Sequence, residues 1–241
     1  MPALFSFDIP RIARLFTVLV LALLGTAILH AQSTGSPRKE NLDLPFDAAV
    51  GDEHEEAAPE VLVFYGEAYE TEAVFFCLDQ SLSMGQGEWQ ILQRELIRVI
   101  SELSSSMEFG IVFFHEEATV FPASKKPAVA NAGSKASAIA MVQSTKASNR
   151  STCFLPGLRE ALNMANQSSA KRRTVIFMSD GKVTCVGEDT VKYTEKTLQQ
   201  TKAMNTKRTV INTLGVGREV IEFFMESLAT RNGGTFRRVR N

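Results

Sequence analysis

In "AVFFCLDQSLSMGQG", residues 73–87, an apolar run passes abruptly into a polar end. Val74 to Leu78 carry no charge and are rich in residues that suit a strand. The run stops at Asp79, and Ser81 and Ser83 follow, two residues apart, before Met84, Gly85 and Gly87. An apolar strand that ends in a carboxylate and two hydroxyls puts polar chemistry at the tip of a buried element.

Working outward, strands and helices alternate. "EWQILQRELIRVISEL" (88–103) sets Trp89, Leu92, Leu96, Val99, Ile100 and Leu103 on one helical stripe. "FGIVFFH" (109–115) reads as a buried strand, and "ATVFP" (118–122) follows too soon for a crossover, so it pairs antiparallel. "SKASAIAMVQST" (134–145) and "LPGLREALNMANQ" (155–167) read as helices, the second with Leu158, Ala161, Leu162 and Ala165 inward. "RTVIFMSDG" (173–181) is a strand, "DTVKYTEKTLQQTKAMN" (189–205) a helix, and "TVINTLGVG" (209–217) a strand. "EVIEFFMESLATRNGG" (219–234) is a helix closed by its glycines, and "TFRRV" (235–239) a last short strand. This alternation predicts an α/β fold: a doubly wound, mostly parallel six-stranded sheet with one antiparallel edge strand and helices on both faces. Ligands of such sheets sit beyond the carboxyl ends of the strands, where strand order reverses.

Ahead of this core, the chain changes character. Arg11 and Arg14 precede the uncharged run "LFTVLVLALLGTAIL" (15–29), whose 15 residues suit a signal peptide better than a spanning helix of about 20. Residues 1–31 are therefore read as a signal peptide, with an N-terminal membrane anchor through residues 12–31 as the alternative. The expected location is outside the cytoplasm, secreted, periplasmic, or tethered to the outer side of the cytoplasmic membrane. Residues 32–60 read as an acidic flexible tether and 61–241 as one domain with its core at 73–240, "VLVFYG" (61–66) being a short strand at its start. With Asn241 directly after the last predicted strand, no further domain is expected to follow. Between Gln32 and Glu72 eleven acidic residues face two basic ones, whereas Ala73 to Asn241 carries 22 basic against 15 acidic. That diffuse positive balance has no dense basic run and no recognisable motif, so nucleic acid is not an expected partner.

Three polar clusters fall on the expected rim: Asp79-Gln80-Ser81-Leu82-Ser83, Ser151-Thr152, and Ser179-Asp180-Gly181. Each alone reads as a helix cap or a turn. Together they supply oxygen donors, two carboxylates and several hydroxyls, which is the ligand set of a hard dication such as Mg²⁺.

These residues carry a resemblance. "DQSLS" (79–83) matches the D-x-S-x-S motif of the von Willebrand factor type A domain family. "TCFLPGL" (152–158) resembles its threonine loop, "VIFMSDG" (175–181) its aspartate strand, "INTLGVG" (211–217) its next strand, and "MESLATRNGGTFRRV" (225–239) its last helix and strand. The resemblance implies a metal-ion-dependent adhesion site holding Mg²⁺ or Mn²⁺. In it, Ser81, Ser83 and Thr152 are direct or switchable ligands, and Asp79 and Asp180 hold the ion directly or through water. An acidic side chain, Asp or Glu, exposed on a partner protein completes the coordination. The last helix is the element that moves in some relatives. Leu82 replaces the glycine many members place between the serines, and "ASNRS" (147–151) replaces loop glycines, so Leu82 and Arg150, with His115, are the expected partner-binding rim.

Three cysteines are present, Cys77 in the core strand and Cys153 and Cys185 beside the presumed ligands. If both loops meet at one ion, the last two come close enough to pair, and in an exported protein a Cys153–Cys185 disulfide is one outcome, two free thiols the other.

An enzyme is the competing class: an exported hydrolase using the same ion. Neither Ser81 nor Ser83 lies in a G-x-S-x-G elbow. Of the three histidines, His115 alone falls near the rim. Ser81 replaces the second acid of an aspartyl-phosphate D-x-D, and no G-x-G-x-x-G opens a helix. The expectation is a binding module without catalytic residues; a scaffold with an empty site is the third reading.

Overall fold

The computed structural model describes residues 60–81, 86–185, 187, 189–217 and 220–239. The proposed export segment, the tether up to residue 59, and Leu82 and Ser83 lie outside them. Among the described residues, no helix is long and apolar enough to cross a membrane.

The description begins with a hairpin of β1 (Glu60–Phe64) and β2 (Glu67–Thr71). Its register pairs Phe64 with Glu67, leaving a two-residue turn in which Tyr65 and Gly66 both have positive φ, 52° and 77°. That is the turn geometry whose twist matches paired strands. Leu62, Phe64 and Tyr69 point inward while Val61 and Val63 face solvent. The second strand was not among the expected elements: "EAYET" holds two charges and too few apolar residues to signal itself.

The main sheet is built around β3 (Ala73–Asp79), with every residue buried. It is followed by α1 (Gln86–Glu102), β4 (Glu108–Phe114), β5 (Ala118–Phe121), β6 (Ala128–Val129), α2 (Ala132–Ser144), α3 (Phe154–Gln167), β7 (Arg173–Ser179), α4 (Thr190–Met204), β8 (Val210–Gly215), α5 (Glu222–Arg231) and β9 (Phe236–Arg238). Strand order is β5-β4-β3-β7-β8-β9. All neighbours are parallel except β5, which runs antiparallel to β4. The doubly wound α/β expectation holds, with one addition. The two-residue β6 also pairs antiparallel with β4, opposite Glu108 and Phe109, and makes a seventh strand. β5 begins its pairing at Ile111, so the two short strands share one edge of β4 end to end.

Alternate residues of β3 serve two cores. Val74, Phe76 and Leu78 pack with the inward stripe of α1, with Ala138 and Val142 of α2, and with the hairpin. Ala73, Phe75 and Cys77 pack with α3, α4 and α5. Each fully buried phenylalanine or leucine contributes about 1.5–3 kcal/mol through removal from water, so a strand apolar on both faces is strongly held. After β3 the chain builds β4 on one side, then returns through α3 to place β7 on the other. The tips of β3 and β7 therefore lie side by side where the winding reverses.

Candidate metal centre

Asp79 closes β3 and is fully buried. The Ser179 hydroxyl donates to its Oδ2 at 2.7 Å, and the Ser81 backbone N–H donates to its Oδ1 at 2.8 Å. Parallel pairing of Leu78 with Met178 makes this possible, because the next residue of each strand is then a neighbour. Burial pushes the Asp79 carboxyl up to about 6. Hydrogen bonds from Ser179 and Ser81 pull it down, and the charge of Asp180 pushes it up again. Two acidic groups held close in a poorly solvated site repel one another, and a bound dication relieves that repulsion.

Asp180 follows β7 and is almost wholly buried. Its Oδ1 accepts the Lys182 N–H at 2.9 Å, and its carbonyl accepts the Ile221 N–H at 2.9 Å, which ties the loop to the entry of α5. Gly181 turns the chain with φ of 77°. A Cβ there would stand 2.8 Å from the Ile221 carbonyl oxygen, so glycine is required both by conformation and by space.

Thr152, also buried, lies between these elements. The Cys153 N–H donates to the His115 carbonyl at 2.9 Å, anchoring the threonine loop at the end of β4. Thr152 and Thr184 exchange two hydrogen bonds: the Thr152 N–H donates to Thr184 Oγ1 at 2.8 Å, and the Thr184 N–H donates to the Thr152 carbonyl at 3.1 Å. Cys153 and Cys185 are joined by a disulfide with Cα atoms 5.1 Å apart, while Cys77 is a free, buried thiol. Below the loop, Phe154 stacks on Phe224 at 4.5 Å and meets Phe177 edge-on at 5.6 Å. Gly157 lets α3 press against Phe114, whose ring carbon would lie 2.7 Å from a Cβ. This aromatic floor holds the start of α3, and hence Thr152, against the strand tips.

Buried Ser81 forms an isolated bridge to Ser148, and the Ser148 N–H donates to the Gln80 carbonyl at 2.6 Å. The fold thus brings Asp79, Ser81, Thr152 and Asp180 to one rim; Ser83 and Leu82 lie outside the described residues. Arg150 is exposed and faces Glu116 at 3.9 Å. His115 is half-buried and its Nδ1 accepts the Glu117 N–H at 3.1 Å, so the ring closes its own turn. Thr184 and Glu116 were not among the expected site residues, and Ser179 was expected on the rim but not among the ligands. Ser179 adjoins Asp180 in the sequence, and its place was legible there; Thr184 was not, since a lone threonine in a polar loop carries no pattern.

The donor chemistry fits a hard dication. Among the described residues no group of three or more His, Cys, Asp and Glu could hold a metal, so a nitrogen- or sulfur-rich centre is not what these residues build. Two carboxylates and the hydroxyls of Ser81 and Thr152 are oxygen donors suited to Mg²⁺.

Comparisons with known proteins agree with the topology. The family model for the von Willebrand factor type A domain matches residues 73–241. Inter-alpha-trypsin inhibitor heavy chain H4 of Homo sapiens is 29% identical over 171 residues, which is 69% of this chain and 18% of that protein. The chain therefore spans under a fifth of the length of that relative. A von Willebrand factor type A structure from Catenulispora acidiphila superposes with a TM-score of 0.61 at 21% identity, covering 72% of this chain and 40% of that one. Proximal thread matrix protein 1 of the mussel byssus, in a structure with a zinc-occupied metal-ion-dependent adhesion site motif, superposes with a TM-score of 0.50 at 16% identity, covering 70% and 43%. Matching over more than two thirds of its length, and folded as the motifs at its strand ends require, the chain belongs to the von Willebrand factor type A domain family.

Proposed function

We propose that this protein is a metal-dependent protein-binding module. A Mg²⁺-type ion, held by Asp79, Ser81, Ser83, Thr152 and Asp180, captures an acidic side chain of a partner protein. The observation that carries the reading is that buried Asp79, Ser81 and Asp180 at the tips of β3 and β7, and buried Thr152 in the loop before α3, all bear oxygen donors, with Asp180 close enough to Asp79 for its charge to oppose the ionisation of Asp79. Bound there, the ion supplies Lewis acidity toward an incoming carboxylate. The protein's own groups orient the site: Ser179 and the Ser81 N–H fix the Asp79 oxygens, and Thr184 fixes the Thr152 backbone. The zinc-occupied motif of the byssus protein supports a divalent ion as the class of ligand. Mg²⁺ or Mn²⁺ is our choice for this chain, on its oxygen-only donor set.

A protein partner rather than a small substrate is favoured by the way His115 is used. Its ring accepts a backbone amide and its carbonyl holds the threonine loop, which is work for a turn and not for a general base. Arg150 and Leu82 we assign to the surface that meets the partner. Export, either secreted or tethered to the outer face of the cytoplasmic membrane, is supported by the Cys153–Cys185 bond, since disulfides persist in oxidising compartments.

Calorimetry with Mg²⁺ and Mn²⁺ tests the reading. The wild type is expected to give a saturable heat that Asp79→Ala loses, and equal heats from both proteins would overturn the metal assignment. Capture of a binding partner in the presence and absence of chelator tests adhesion: capture indifferent to chelator rejects a metal-bridged contact.

A further inference from the structure

We propose that the Cys153–Cys185 disulfide is a clamp on the metal site, fixing Thr152 relative to the Asp180 loop and so setting how tightly the ion is held. The inference rests on the metal-site reading above and adds two positioning residues to it.

Thr152 and Asp180 come from loops that no strand pairing joins. Asp180 is fixed by following β7 directly, whereas Thr152 stands before α3 with no strand behind it. Its tie to the Asp180 loop is made by residues just beyond each proposed ligand. Thr184, four residues after Asp180, exchanges two hydrogen bonds with the Thr152 backbone, one through its hydroxyl and one through its N–H, and the disulfide joins the very next residue on both sides. Cys153 is itself buried and its N–H is held by the His115 carbonyl, so the clamp cannot swing as a unit. The Thr152 N–H and carbonyl are thereby both used, while its hydroxyl makes no hydrogen bond among the described residues. That leaves the hydroxyl as the atom available for a ligand. A donor already held in place has little freedom to lose when the ion binds, which strengthens binding. Groups that orient metal ligands without touching the metal typically change affinity by about 10–100-fold when removed.

Losing a disulfide that merely staples the fold would lower stability without moving metal affinity, so the two roles separate by measurement. Mg²⁺ is the probe, because thiols compete poorly for it. In the full chain, the double variant Cys153→Ser/Cys185→Ser is expected to bind Mg²⁺ about 10-fold more weakly than wild type by calorimetry. Thr184→Val, which keeps the disulfide and removes one hydrogen bond to Thr152, is expected to show a smaller loss in the same direction.

A second measurement needs no variant. A dithiol reduces the bond by thiolate attack on one sulfur. The dithiol ends as a cyclic disulfide, its two electrons and two protons passing to Cys153 and Cys185 as thiols. If the oxidised form binds Mg²⁺ 10-fold more tightly, reciprocity requires saturating Mg²⁺ to lower the midpoint potential of this pair by about 30 mV. Should the double variant fail to fold, this titration decides alone. An unchanged affinity in a folded variant, or an unchanged midpoint, overturns the clamp while the metal site stands. Absence of any Mg²⁺ heat in the wild type overturns the metal reading and the clamp with it.

Discussion

At one end of the central sheet, Asp79 sits beneath hydroxyls, an amide and a second carboxylate. At the other end, Glu72 and Glu108 also meet hydroxyls and amides, yet the outcome is different. Glu108 accepts the Ser169 hydroxyl at 2.8 Å and Glu60 accepts the Ser106 hydroxyl at 2.6 Å around a cavity of about 270 Å³. Burial works against the Glu72 carboxylate, but the Lys171 and Arg172 amides and the Arg172 guanidinium together hold it below the usual carboxylate range. Its ion pair with Arg172 measures 2.8 Å. The chain thus neutralises its own acid at the amino end of the strands. At the carboxyl end the charge of a second acid, Asp180, instead pushes the Asp79 carboxyl up, in the same direction as its burial. Acidic residues with serine neighbours do not by themselves make an ion site: Glu72 already has a guanidinium beside it, whereas Asp79 has a second acid.

That contrast can be broken by neutralising each acid in place. Asp79→Asn is expected to abolish the stabilisation that Mg²⁺ confers on the wild type, about 2.7 kcal/mol at an ion concentration 100 times Kd. Glu72→Gln should leave that increment intact, and denaturant unfolding with and without Mg²⁺ reads both. Loss of the increment in both variants would erase the distinction between the ends.

Gly181→Ala is expected to cost about 1–3 kcal/mol, since it forces a left-handed φ on a side chain that also meets the Ile221 carbonyl. Because the Asp180 loop must shift to make room, Mg²⁺ affinity falls as well. A destabilised variant with unaltered affinity would detach the loop's shape from the site.

Glu72→Gln itself should cost about 1 kcal/mol at neutral pH, as expected for a partly exposed pair. The sign with pH follows from its lowered pKa: the folded state prefers the carboxylate. The contribution is full above the unfolded value and disappears as pH falls through the depressed folded one. Wild type and variant should therefore converge in stability on acidification. The smallest effect is expected for Arg150→Ala. Its exposed pair with Glu116 at 3.9 Å is worth little, so unfolding should shift by under about 1 kcal/mol, while the salt dependence of partner capture changes.

Much of this molecule was determined by local pattern. The stripe from Trp89 to Leu103, the two-faced apolar run of β3 and the inward row of α3 announced their elements because period and burial are short-range properties. Asp79 and Asp180 were legible as rim residues for the same reason: each terminates a run too apolar to be anything but a buried strand. The hairpin partner β2 and the short β6 were not, since one alternates around charges and the other has two residues. The site itself belonged to tertiary structure. Only the placing of β7 beside β3 puts Ser179 on Asp79, 100 residues away, and only the meeting of two loops lets Thr184 hold Thr152 and Cys185 reach Cys153. Hydrophobic periodicity says which residues are buried; it carries no information on which buried strand becomes the neighbour of which. That choice is made by the crossovers and the shared core, and here it is what sets Asp79 and Ser81 beside Ser179 and Asp180, the arrangement on which the proposed ion site rests.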